Sequence, residues 1–124
     1  MISTHFIPHA NGTSTQYTVV KPMYMTPFFM LLEITKLIDS RNVQEGDLLL
    51  IKFVVKKELK EKFFIFRKNN FAHEFVSRFG LDLREFDKLY ALKSVIHMKR
   101  IDDGDAKMFE TIVKVQNARD NVLV

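Results

Sequence analysis

The residues equipped to bind or react are few, and the four histidines come first. His5 and His9 stand four apart, a spacing that would put two metal ligands on one side of a helix. Pro8 and the turn-forming run Asn11, Gly12, Thr13, Ser14 argue against a helix there, and no nearby carboxylate completes a set, so no metal is expected. His73 reads as a first-turn helix residue beside Glu74, and His97 as a strand position between Ile96 and Met98. A catalytic imidazole needs a nucleophile or an orienting carboxylate, and the sequence presents neither in a recognisable pattern. Asp102, Asp103 and Asp105 carry oxygens that suit a hard cation, but without the calcium-loop spacing and its closing glutamate they read as a solvated turn. Gly12, Gly46, Gly80 and Gly104 each fit a turn or a cap and form no phosphate-binding loop. The expectation is a protein without enzymatic activity, cofactor or metal.

Positive charge is the stronger signal. The formal charge is +4, and Lys52 to Lys68 alone holds seven basic residues against two acidic ones. Lys52, Lys56, Lys57, Lys60, Lys62, Arg67 and Lys68 can track a phosphate backbone, while Phe63, with Ile65 on the same strand face, offers a surface for bases. Stacking of this kind contributes roughly 1–3 kcal/mol per base and tolerates any sequence. These residues therefore form the expected nucleic-acid interface, with single-stranded DNA or RNA as the preferred partner. The competing reading buries Phe63 and Ile65 under a helix and leaves the lysines to solubilise a hairpin. Arg84, Lys88, Lys93, Lys99 and Arg100 make a second basic set that can extend the first.

Twelve Phe and six Met without Trp support a rival function: a protein-interaction or inhibitor module acting through an apolar homodimer or partner interface. The small size and the basic hairpin suit an accessory protein of a virus or mobile element. With no cysteine, no signal-peptide pattern and no uncharged run near the ~20 residues that cross a bilayer, the expected setting is cytoplasmic and away from membranes.

These residues need elements to hold them. Strands are read at 16–21, 48–56, 62–67, 94–101 and 108–116, the last from its apolar–polar alternation. Thr26 and Pro27 open a helix to about Ser40, with Phe28, Leu31, Leu32, Thr35 and Ile38 facing inward and Phe29, Met30, Ile34 and Leu37 widening that stripe to cover more than one side. Phe71, Phe75 and Phe79 mark a second helix closed by Gly80, and the pair Asp82, Glu85 predicts a third with Leu83, Phe86, Leu89 and Tyr90 inward. The charged stretch Lys57 to Glu61 lacks glycine, which predicts a connection longer than two residues. Residues 1–15 and 117–124 read as flexible ends of a single domain, with a tight turn at Asn11 and Gly12. The class is α+β: three helices on a mostly antiparallel five-stranded sheet, either open or curled into a small barrel.

Overall fold

The computed structural model describes residues 2–9, 14–20 and 23–122. Among these residues, six strands and three helices follow in the order β1 (Ile2–Pro8), β2 (Ser14–Val20), β3 (Tyr24–Met25), α1 (Pro27–Ser40), β4 (Leu48–Val55), β5 (Glu58–Ile65), α2 (Phe71–Phe79), β6 (Tyr90–Met98) and α3 (Asp103–Val122). The expected turn at Asn11 and Gly12 lies outside the described residues.

The sheet corrects the expected architecture. It has six strands, not five, all its pairings are antiparallel, and it is open rather than curled into a barrel. The strand order is β1-β2-β6-β4-β5, with β3 on β6, so β1 and β5 are edges that never meet. One physical cause is that the β5 edge is already occupied. On α3, Gln116 Oε1 accepts from the Phe63 N–H at 2.5 Å, and the Gln116 Nε2–H donates to the Glu61 carbonyl at 3.1 Å. Arg78 of α2 donates to the Phe63 carbonyl at 2.5 Å and to Asn117 Oδ1 at 2.6 Å. These side chains satisfy outward backbone groups that a closing strand would need.

The core lies between the sheet and the helix pair α1 and α2. Leu49, Ile51 and Phe53 alternate along β4 and meet Met30, Ile34, Leu37 and Ile38 of α1 together with Phe71 and Phe75 of α2. Phe64 is fully buried with ring centroids 5.6–6.0 Å from Phe71, Phe75 and Phe79, and Phe53 sits 4.6 Å from Phe79. Each such tilted or edge-on pair adds about 0.5–1.5 kcal/mol beyond the apolar area it buries. The inward stripe of α1 is narrower than expected and centred on its widened part: Met30, Leu31, Ile34, Leu37 and Ile38 are buried, while Phe28, Phe29, Leu32 and Thr35 are exposed. The stripe follows 27, 30, 31, 34, 37 and 38, which is the side turned to the core.

Three local expectations fail for identifiable reasons. Residues 108–116 are not a strand but the middle of α3, whose shielded positions 109, 112, 113, 116 and 117 follow helical spacing. The run read as an acidic turn starts that helix. Asp102 Oδ1 accepts from the Asp105 N–H at 2.9 Å, and Asp105 Oδ2 accepts from the N–H groups of Ile101 and Asp102 at 3.0 and 3.4 Å, a reciprocal cap. The helix expected after Asp82 stops at one turn. Asp82 Oδ1 accepts from the Arg84 N–H at 3.0 Å as a cap would, but the chain from Tyr90 onward is claimed by pairing with β3 and β4. Phe86 and Leu89, expected inside, are 75 % and 51 % exposed.

The third failure is the hairpin loop. β4 and β5 join through Lys56 and Lys57 alone, with φ +50° and +64°. Two positive φ values suit the right-handed strand twist of a tight hairpin, which glycine or asparagine would adopt with less strain than lysine.

Candidate functional site

The expected hairpin residues do not form one surface. Lys52 pairs with Glu61 at 3.6 Å and Lys60 with Glu58 at 3.3 Å, while Lys62 pairs with Asp120 of α3 and lies 5.9 Å from the Phe79 ring centroid. Phe63 is half-buried and lines a groove of about 480 Å³ with Ile112, Val115, Gln116 and Arg119 of α3. Lys56 and Lys57 are exposed at the turn, whereas Arg67 and Lys68 are exposed beyond the other end of β5. Nine residues lie between Lys57 and Arg67, roughly 30 Å at strand rise.

The second basic set is divided too. Arg84 and Lys88, expected to share a helix side, lie in the irregular segment before β6, beside Asp82 at 3.4 Å and Glu85 at 3.7 Å. Lys93 is exposed at the β6 position skipped where the β4–β6 register shifts. Lys99 and Arg100 follow β6 and join Arg41, which follows α1, at the sheet end where Arg67 and Lys68 also stand. Lys68 lines a hollow with Asp39, Asn42, Gln44 and Glu45, and its own N–H donates to Glu45 Oε1 at 2.5 Å.

A cleft of about 470 Å³ opens at this end, lined by Phe6, Gln16, Arg41, Asn42, Gln44, His97 and Lys99. The sheet register builds its floor. Phe6 of β1 pairs with Gln16 of β2, Gln16 with His97 of β6, and His97 with Leu49 of β4, so these residues form one row on the helix-bearing face. The wall is the turn that follows α1. Asn42 takes φ +54°, a conformation asparagine tolerates better than most residues, and this redirects the chain past the sheet end. Arg41 reaches back to donate to Thr4 Oγ1 at 3.1 Å, while its Nη1 is buried without a partner among the described residues. Burial lowers the Arg41 pKa, yet a guanidinium starts so high that it stays charged at neutral pH.

Behind the cleft, Asp47 ties three segments together. Its Oδ2 accepts from the Gln44 N–H at 3.0 Å and the His97 Nε2–H at 2.8 Å, and its Oδ1 accepts from the Arg100 N–H at 2.9 Å. Burial pushes the carboxyl pKa up, but the hydrogen bonds from His97, Arg100 and Gln44 outweigh it and hold the group below its ordinary value. Asp47 is therefore ionised at neutral pH. An ionised carboxylate only accepts, which fixes the proton on Nε2 of His97. Gly46 prepares this corner with φ +88°, and a Cβ there would stand 3.0 Å from Nη1 of Arg100. Sequence reasoning found His97 without its partner and passed over Asp47, Phe6 and Arg41. Asp47 and His97 are fifty positions apart, so no local pattern joins them.

The remaining histidines stand elsewhere. His5 lies 6.0 Å from the Tyr17 ring on the face without α1 and α2, His9 Nε2 and Thr15 Oγ1 are 2.5 Å apart, and His73 is exposed on α2. No helix among the described residues is long and apolar enough to cross a membrane. Comparisons with protein-family models, curated proteins and solved structures find no match.

Proposed function

We propose that this protein is a non-enzymatic binder of single-stranded nucleic acid, and that its working site is the cleft at the Arg41–Lys99 end of the sheet rather than the hairpin. One observation carries the reading: an exposed aromatic ring, two cations and three side-chain amides converge on one cleft, with no carboxylate among the described residues that line it. Phe6 is 64 % exposed and can stack a base, and Arg41 and Lys99 can neutralise phosphates. Gln16, Asn42 and Gln44 can hydrogen-bond base edges or sugars of an unpaired strand. The cleft volume falls within the ~300–1,000 Å³ usual for small-ligand sites, enough for a local stretch of strand but not a duplex groove. Asp47 and His97 serve as a pin, since both are buried and the carboxylate already accepts three N–H groups.

The test is fluorescence anisotropy with labelled single-stranded and duplex DNA and RNA across a salt series. Phe6→Ala should weaken single-strand binding about 5- to 150-fold, the equivalent of one stacked base. Lys99→Ala should reduce the salt slope by about 0.7 for a single strand, while Lys56→Ala with Lys57→Ala leaves binding unchanged. Absence of binding at low salt overturns the reading, as does binding that survives both cleft changes and disappears with the hairpin pair.

A second reading, a protein-interaction module, draws support from the start of α1. Tyr24, Phe28 and Phe29 are 72 %, 45 % and 58 % exposed, and the two Phe rings lie 5.8 Å apart. Salt-insensitive association abolished by Phe28→Ser with Phe29→Ser would favour it over the cleft.

A further inference from the structure

The cleft at the Arg41–Lys99 end of the sheet holds more hydrogen-bond donors than its own residues use. Arg41 is tied by one arm: Nη2 donates to Thr4 Oγ1 at 3.1 Å, while Nη1 is buried with no partner among the described residues. A buried N–H without an acceptor is costly, and an anionic oxygen beside the guanidinium would remove that cost. The acceptors of the wall are already engaged. Gln44 Nε2 donates to the Asn42 carbonyl at 3.0 Å and to Asn42 Oδ1 at 2.9 Å, which leaves the Nδ2 end of the Asn42 amide open to a ligand. Lys99 adds an exposed ammonium to the same lining. Spacing adds a further constraint. Thr4 and Phe6 are two residues apart on one face of β1, about 7 Å at strand rise. The guanidinium bonded to Thr4 therefore stands from the Phe6 ring at roughly the reach from base to phosphate within one nucleotide.

We infer that the cleft is a site for one nucleotide bearing a terminal phosphomonoester, with the base on Phe6 and the phosphate on Arg41, Lys99 and Asn42. Such a group is presented by the phosphorylated end of a single strand or by a free mononucleotide. The assignment rests on the binding function proposed above and names the part of the strand that the cleft takes. A phosphodiester within a strand carries one negative charge, whereas a terminal phosphomonoester carries about −1.5 to −2 at neutral pH and offers three outer oxygens. Two cations in a cleft of about 470 Å³, with no carboxylate among the described residues that line it, match the more highly charged group. The next cations at this end of the sheet do not carry a track of phosphates onward. Lys68 lines a separate hollow with Asp39 and Glu45, whose carboxylates repel a following phosphate.

Fluorescence anisotropy with one internally labelled short strand tests the inference, the strand being prepared with hydroxyls at both ends, with a 5′-phosphate, or with a 3′-phosphate. A nucleoside 5′-monophosphate and the matching nucleoside, titrated by calorimetry, probe the cleft without a strand. A phosphorylated probe should bind about tenfold or more tightly than its hydroxyl counterpart, the equivalent of one charge-assisted hydrogen bond. The preferred strand end gives the polarity of binding. Arg41→Gln and Lys99→Gln should each cut that preference to about twofold or less with unchanged circular dichroism. Lys99 is exposed, so its variant keeps the test sound if Arg41→Gln disturbs the fold. Equal affinity for phosphorylated and hydroxyl probes, as strands and as nucleosides, overturns the inference and leaves single-strand binding standing. A preference that survives both substitutions overturns it too, because the phosphate then sits elsewhere. A monophosphate bound in preference to its nucleoside, with no form of the strand bound, makes the free mononucleotide the ligand and defeats the proposed function alone. Binding of no probe defeats both.

Discussion

Replacing Asp47 should destabilise the protein more than any other single polar change at this end of the sheet. Asp47→Ala leaves the buried His97 Nε2–H and the part-buried N–H groups of Gln44 and Arg100 without an acceptor. A buried group stripped of its partner costs about 1–3 kcal/mol, and a part-buried one less, so the three donors together make a loss of about 3 kcal/mol. Asp47→Asn keeps one oxygen but turns an amide N–H toward a donor, for a loss of about 2 kcal/mol. Either is a large share of the ~5–15 kcal/mol that holds a typical domain together.

The assay is urea unfolding followed by circular dichroism at several pH values. The folded-state pKa of Asp47 is depressed, so its contribution is fully present above the unfolded value of about 3.9 and is lost as pH falls through the folded value. The gap between wild type and Asp47→Asn should be widest near neutrality and should narrow only in that acid window. A loss below about 1 kcal/mol for Asp47→Ala would refute the reasoning. So would a gap that stays constant down through the acid window.

Two further changes test the hairpin and its guarded edge. Lys57→Gly relieves a lysine held at φ +64° and should stabilise the domain by about 0.5–1 kcal/mol, read as a higher urea midpoint at constant slope. A lowered midpoint would show that the turn is not strained. Gln116→Ala removes both side-chain bonds to the β5 edge and should cost about 1–3 kcal/mol. It should also raise concentration-dependent light scattering by opening that edge, and unchanged stability would show that Gln116 does not guard it.

What the sequence made legible was local and chemically marked. Thr26 and Pro27 open α1 at the expected residue, and Gly80, at φ +64°, closes α2 where its left-handed conformation was expected. The Leu49, Ile51, Phe53 alternation identified the buried face of β4. Residues 108–116 misled because their apolar positions satisfy both the two-residue and the 3.6-residue period, and the deciding signal was the cap formed by Asp102 and Asp105. Asp82 carried a similar cap, but strand pairing from Tyr90 overrode it. The cleft was illegible because its row of Phe6, Gln16 and His97 arises only when three strands distant in sequence fall into register. The basic hairpin was visible as charge with two acidic residues in it, but the pairing of its lysines with Glu61 across the strands, Glu58 along β5 and Asp120 of α3 was not.

The placement of β6 also governs how the fold is reached. Among the described residues β1 pairs only with β2, and β5 only with β4, so the two hairpins meet there through the strand that comes between them in the sheet but after both in the chain. The β4–β5 hairpin closes across two residues and can form within microseconds, whereas joining Tyr17 to Ile96 closes a loop of nearly eighty residues. Assembly should therefore nucleate on β4, β5 and β6 and admit the N-terminal hairpin last. Substitutions in β6 should slow refolding, while those in β1 and β2 should chiefly hasten unfolding.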